Sequence, residues 1–107
     1  MEVTLFHEER PDIRIDIVAY FENDILVIDG YDIGKTVKDY WGDSDYEYTL
    51  RIHPSGVDQL YQHFGIQPDK ASLLNLIAEH FSGNRCFSQL ESLASQLNLP
   101  HERFTWT

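Results

Sequence analysis

Two stretches in the first half of the chain alternate between apolar and polar residues, and a period of two predicts a strand with one buried face. The first stretch runs from Ile13 to Phe21 and the second from Tyr46 to Ile52. Between them, Ile25–Ile28 is apolar at every position, which favours a central strand buried on both faces. Glu22–Asp24 supplies turn-prone residues, so we expect a hairpin there. Asp29-Gly30 is a turn signal and predicts the end of the central strand.

The two ends of the chain carry shorter patterns of the same kind. Val3–Phe6 predicts a short edge strand. The tail Phe104–Thr107 also alternates, and its large aromatic side chains would be exposed if it hung free. We therefore expect the tail to dock on the rest of the protein.

Tyr31–Gly42 shows a different pattern, because its apolar residues recur at the spacing of one helix face. Asp32 is placed to cap such a helix, and Gly42 is placed to end it. The sequence thus predicts a short helix between the central strand and the strand that starts near Tyr46.

The second half of the chain contains three further amphipathic stretches, which predict three helices. The first spans Pro54–Gly65, the second Pro68–Gly83, and the third opens with Ser88 and Glu91 in a capping-box spacing. Strands grouped first and helices grouped later predict an α+β fold. We expect an antiparallel sheet of three to five strands, mostly from the N-terminal half, covered by these three helices, with residues 1–107 as a single α+β domain.

The charge of the chain narrows the classes of partner. Its 107 residues have a formal net charge of −10, and residues 1–50 hold 13 acidic and 4 basic side chains, a net charge of −9. Nucleic acids and anionic lipids would be repelled, so we expect neither as a partner. A basic protein would be attracted, although an acidic surface also serves solubility alone.

Targeting features are missing from the sequence. No run approaches the length of a membrane-spanning helix, and the start of the chain lacks a basic stretch followed by an apolar one. Cys86 is the single cysteine, so an internal disulfide is impossible. We expect a cytoplasmic protein without a membrane partner.

The densest polar cluster joins the predicted short helix to the strand that starts near Tyr46. It combines carboxylates with aromatic side chains and contains no basic residue. Carboxylates attract Arg and Lys, and Trp provides a large contact area, so the cluster predicts a partner-binding loop. The alternative is a solvated turn, with Tyr46 and Tyr48 facing the core. The predicted partner-binding residues are Asp39, Trp41, Asp43, Asp45 and Glu47.

Evidence for a metal or a catalytic group is weak. Asp43, Asp45 and Glu47 have the spacing at which a calcium loop begins, but the required later glycine and glutamate are replaced by Tyr48 and Pro54. The histidines are scattered, without the pairing of a zinc site. We therefore expect no cofactor, no metal and no catalytic residue.

Cys86 allows two interpretations. It precedes a predicted helix cap and follows Arg85, a setting that favours a thiolate. A free cysteine is more often a small buried apolar residue, here beside Phe87.

Three segments together resemble a group of small acidic bacterial proteins for which no activity is established. They are Ile28–Gly34, Tyr40–Tyr48 and Phe81–Phe87, and the likeness extends from about residue 20 to Trp106. The chain is also loosely similar, as a class, to the immunity proteins that neutralise bacterial toxins. These resemblances imply a protein-binding role and no catalytic residue.

Three hypotheses follow. The first is a non-enzymatic acidic protein-binding domain of the immunity or inhibitor kind, with a basic protein as its partner. The second is a small metal-dependent or hydrolytic enzyme that uses the acidic loop together with His53. The third is a structural domain that forms a homodimer through an exposed strand edge.

Overall fold

The alternating stretches fold as an antiparallel meander, in which each strand pairs with the next along the chain. The computed structural model describes residues 1–34 and 45–106. Its five-stranded sheet has the order β1-β2-β3-β4-β5. The strands are β1 (Glu2–Arg10), β2 (Ile13–Glu22), β3 (Ile25–Gly34), β4 (Asp45–Ile52) and β5 (His101–Trp106).

Three helices lie in the connection between β4 and β5: α1 (Pro54–Phe64), α2 (Lys70–His80) and α3 (Cys86–Gln96). They pack on one face of the sheet, where strand and helix residues form one hydrophobic cluster that includes Ile17, Ile28 and Leu50. This arrangement confirms the predicted α+β fold. None of the helices in the described ranges is long and apolar enough to cross a membrane.

The central position predicted for the third strand is confirmed. Val27 and Ile28 are neighbours in β3 with opposite orientations, and both are fully buried. Ile28 belongs to the cluster under the helices. Val27 lies on the other face, between its cross-strand neighbours Tyr20 and Arg51.

The predicted end of this strand is wrong. β3 continues through Asp29-Gly30 to Gly34 and stays paired with β2 and β4. Glycine suits position 30 because the ring of its β4 partner Tyr48 occupies the space that a side chain would need. The predicted helix at Tyr31–Gly42 is accordingly wrong for its first four residues, and its remaining residues lie outside the described ranges.

The two edge strands differ from each other. β1 is longer than the predicted Val3–Phe6, and its register shifts between Thr4 and Phe6. The C-terminal tail docks as β5, which confirms that prediction, and its register against β4 is continuous from His101 to Trp106.

The helix boundaries follow the predicted capping signals at both ends of α1 and at the start of α2. α1 begins at Pro54 and ends at Gly65, whose φ of 68° suits a glycine. Helix α2 has Asp69 at its N-cap, as predicted, but it ends at His80 with Phe81 at its C-cap, so the predicted end at Gly83 is wrong.

The predicted capping box of the third helix is wrong. α3 begins at Cys86, so Ser88 and Glu91 lie inside it, and no side chain caps its first turn. Burial determines where this helix begins, because Cys86 and Phe87 are buried in the core and their burial stabilises the first turn.

Candidate functional site

The face of the sheet opposite the helices is the candidate site, and we call it the open face. Strand alternation places on it the side chains that do not enter the core. In the central row of this face, Asp29 stands between Val18 and Thr49, and Thr49 stands next to Phe104. The next row contains Asp16, Tyr31, Glu47 and Trp106. The described residues that line the two depressions on this face all belong to strands.

Asp29 occupies the middle of the open face and is fixed by two neutral donors. The Tyr20 hydroxyl donates to Oδ2 and the Thr49 hydroxyl donates to Oδ1, and the oxygen–oxygen distance is 2.7 Å in each case. Arg51, the nearest cation in the same depression, is engaged by Glu22 at 2.9 Å. The Asp29 carboxylate therefore has no ion pair with any residue of the described ranges.

The hydrogen bond to Asp29 changes the acidity of Tyr20. Donation to the carboxylate, with burial as the second cause, raises the pKa of Tyr20 to about 12. The hydroxyl thus holds its proton over the whole neutral range, and it acts as a hydrogen-bond donor that keeps Asp29 in place.

We expect the Tyr20 hydroxyl to titrate near pH 12 in the folded protein. Because this pKa lies above the ordinary value of 10.0, the folded state retains a proton that the unfolded state loses. The stabilisation from Tyr20 should be complete below pH 10 and decline as the pH rises towards 12. An NMR titration of the tyrosine ring carbons measures the pKa directly.

The control for this titration is Asp29→Asn, which keeps an acceptor but removes the charge. The pKa of Tyr20 should then move back towards its ordinary value. A Tyr20 hydroxyl that titrates in the same range with and without the Asp29 carboxylate would show that the negative charge of Asp29 is not the cause of the raised pKa.

An aromatic pair borders the polar centre on β5. The rings of Phe104 and Trp106 stack with centroids 5.8 Å apart. Phe104 is 36% exposed and Trp106 is 55% exposed. A depression of about 430 Å³ separates this pair from Tyr20, with Val27 contributing to its floor. The site thus combines an accessible apolar wall with a fixed carboxylate.

A second depression of about 360 Å³ lies beside the first and shares Asp29 and Thr49 with it. Among the residues that the structure describes, its lining includes Tyr31 and Glu47 and no basic side chain. Glu47 is exposed and makes no ion pair within the part of the chain that the structure describes. Two carboxylates therefore face this depression without a neighbouring cation from the described strands.

The predicted partner-binding residues divide into two groups. Glu47 lies on the open face, in the same row as Trp106. The backbone of Asp45 opens β4, but its side chain lies outside the description, as do Asp39, Trp41 and Asp43. Sequence analysis did not single out the other residues of this candidate site: Tyr20, Asp29, Thr49, Phe104 and Trp106. The polar positions of the alternating strands were the signal that could have identified them.

On the helix side, the polar contacts around Tyr48 stabilise the fold. The Tyr48 hydroxyl donates to Oδ1 of Asp32 at a distance of 2.8 Å. The Tyr48 and Phe87 rings make a T-shaped contact with their centroids 4.7 Å apart. Burial raises the pKa of Asp32, and burial together with this hydrogen bond raises the pKa of Tyr48. Tyr48 is buried in the core and Tyr46 packs against it, as expected if both face inwards.

Cys86 is fully buried, and burial raises the pKa of its thiol. This environment opposes the thiolate interpretation and agrees with a small apolar core residue. The position of Cys86 under the sheet separates it from both depressions of the open face.

His53 pairs with Glu102 at one end of the open face and does not join Asp29 or Glu47. Its Nε2 lies 2.8 Å from Oε1 of Glu102, just beyond the C-terminal end of β4. Glu47 lies six positions earlier along the chain, which is about 20 Å in an extended strand. Among the residues that the structure describes, no group of three or more His, Cys, Asp or Glu could hold a metal ion.

Comparisons with family models, with curated proteins and with solved structures found no match. The functional assignment therefore depends on the chemistry of the open face.

Proposed function

We propose that this protein is a non-enzymatic protein-binding domain of the immunity or inhibitor kind, which engages a basic protein through the open face of its sheet. One observation carries the proposal: the exposed Phe104 and Trp106 pair stands beside two carboxylates, Asp29 and Glu47, that have no cation partner among the described residues. Such a surface offers an apolar anchor and negative charge at the same place.

The two parts of this surface suit the side chains of a basic partner. Aromatic residues provide contact area at a low cost in rotamer entropy, and they also attract Arg and Lys through their ring faces. The carboxylates supply electrostatic steering over a range set by the ionic strength. With a net charge of −10, the whole chain adds to that attraction.

The acidic cluster predicted from the sequence would extend the same surface. β3 ends at Gly34 and β4 begins at Asp45, at the end of the sheet that carries Glu47 and Trp106. Under this proposal Asp39, Trp41, Asp43 and Asp45 add charge and a second indole to the surface, and a cytoplasmic basic protein is the target.

The proposal is tested with a capped peptide in which arginine alternates with threonine. The double variant Asp29→Asn/Glu47→Gln should weaken binding about tenfold and flatten its dependence on salt, because two charges facing the peptide are lost. Trp106→Ala should weaken it by a similar factor, since the indole is the exposed anchor. Fluorescence anisotropy at several salt concentrations measures each affinity.

The matched control removes the same number of charges from the helices instead. Asp58 and Glu79 are exposed on α1 and α2, so Asp58→Asn/Glu79→Gln lowers the negative charge equally without touching the open face. Its affinity should stay within about twofold of the parent protein. Equal weakening in the two double variants would show that the peptide senses only the net charge, and the open face would lose its role.

A further inference from the structure

The outer edge of β5 is unpaired within the part of the chain that the structure describes, and the direction of its backbone groups follows from one bond. The His53 N–H donates to the Pro100 carbonyl, with a nitrogen–oxygen distance of 2.9 Å. Hydrogen-bonded pairs alternate along an antiparallel ladder, so the next ones are Arg51 with Glu102 and Thr49 with Phe104. The N–H and C=O groups of Arg103 and Thr105 therefore point away from β4.

The two edges of the sheet differ in how well they are protected against pairing with an additional strand. β1 has an irregular register near Thr4 and carries many charges, with Glu2, Glu8, Glu9 and Arg10 in nine residues. Bulges and charges of this kind discourage the addition of another strand. β5 keeps a continuous register and places Phe104 and Trp106 beside its edge. Of the two edges, β5 is the one suited to accept a strand.

The charge around β5 indicates which strand it would accept. Side chains of an added strand that point to the open face would lie next to Glu102, Phe104 and Trp106, with Glu47 one strand further away. Arginine or lysine at these positions would meet carboxylates and aromatic rings. Pairing with a second copy would instead bring together two chains that each have a net charge of −10.

We infer that the partner supplies an extended segment with alternating basic side chains, which adds to β5 as a sixth strand of the sheet. This inference rests on the proposed function and specifies how the open face would engage its target. Backbone hydrogen bonds to Arg103 and Thr105 would provide the affinity of strand addition, and the basic side chains over the aromatic pair would provide the selectivity.

The test uses Thr105→Pro in the full chain. Proline removes an N–H that points away from β4, so the β4–β5 ladder keeps its bonds while the outer edge loses a donor. Thr105→Val is the control, since it changes the same exposed side chain and keeps the N–H. Binding of the alternating arginine–threonine peptide should fall about tenfold with proline and stay within about twofold with valine. Circular dichroism and thermal unfolding confirm that each variant is folded.

A second measurement needs no variant of the protein. Two forms of the peptide are methylated on the backbone nitrogens, one at the arginines and the other at the threonines. Only one set of nitrogens faces β5 in an added strand, so one form should lose binding and the other should keep it. Equal loss in both forms, or in neither, would overturn strand addition even if Thr105→Pro fails to fold.

The remaining outcomes separate this inference from the proposed function. Binding that tolerates Thr105→Pro but not Asp29→Asn/Glu47→Gln would overturn strand addition and leave the basic partner in place. Binding that tolerates both Thr105→Pro and Asp29→Asn/Glu47→Gln would overturn strand addition and the proposed function together. A free protein that sediments as a dimer and becomes a monomer with Thr105→Pro would assign the edge to a second copy, and the basic segment would be the wrong occupant.

Discussion

Replacement of Gly30 with alanine is expected to destabilise the protein by about 2–3 kcal/mol, although alanine is normally accepted in strands at least as well as glycine. A Cβ at this position would overlap Cε2 and Cζ of the Tyr48 ring. The ring has little freedom to move, because its hydroxyl is hydrogen-bonded to Asp32 and the ring itself packs in a T-shaped contact with Phe87. Urea unfolding at neutral pH measures the difference in the free energy of unfolding.

Two comparisons isolate the cause of this effect. Gly83→Ala should change the stability by less than about 0.5 kcal/mol, because an added Cβ there meets no atom within 4 Å. Gly30→Ala should also cost much less in a Tyr48→Leu background, where the obstructing ring is absent. The same cost for Gly30→Ala with and without the ring would mean that backbone conformation, rather than contact with Tyr48, requires glycine at this position.

The same contact explains why β3 was predicted too short. Asp29-Gly30 is a strong turn signal when it is read locally, and the spacing after it is helical. In the folded protein, however, the side chain of Asp29 is held by Tyr20 and Thr49, and Gly30 makes room for Tyr48. These partners lie on β2 and β4, so no window of neighbouring residues contains the information that extends the strand.

Strands and helices with regular patterns were easier to predict. β2 and β4 bury the alternating apolar residues that the sequence indicated, and α1 ends at the glycine expected to end it. The start of α3 was missed because a capping-box spacing occurs by chance inside the helix, whereas burial of Cys86 and Phe87 sets the true start. Local rules therefore succeed where burial and capping agree, and they fail where burial decides alone.

The candidate site shows the same division. Charge and aromatic content pointed to the segment that leads into β4, and Glu47 is exposed on the open face as a partner-binding residue must be. Trp106 was expected only to dock, yet its strand pairs with β4 while its side chain stays accessible. The pattern of the tail does not encode which strand it pairs with, because that choice depends on contacts with distant parts of the chain. The position of Trp106 beside Glu47 follows from that pairing and could not be predicted either.

The open face should also differ from the helix-covered face in how it responds to the loss of buried methyl groups. Ile28→Ala is expected to cost about 3–4 kcal/mol, because the residue is fully buried in the cluster beneath the helices and a cavity would remain. Val27→Ala should cost about 1–1.5 kcal/mol, since Val27 borders a depression that water and the neighbouring Phe104 ring can enter. Urea unfolding of both variants under identical conditions gives the two costs.

This comparison bears directly on the accessibility of the open face, because Val27 and Ile28 are equally buried yet lie on opposite sides of β3. Part of the difference reflects the extra methyl group of isoleucine, so Ile28→Val, at about 1 kcal/mol, provides the scale for one methyl group. If Val27→Ala costs as much as Ile28→Ala, Val27 must be sealed as tightly as the core. A sealed Val27 would mean that the depression between Tyr20 and Phe104 is closed in solution, and the basic partner would then have only the outer surfaces of Phe104 and Trp106 as its apolar contact on this face.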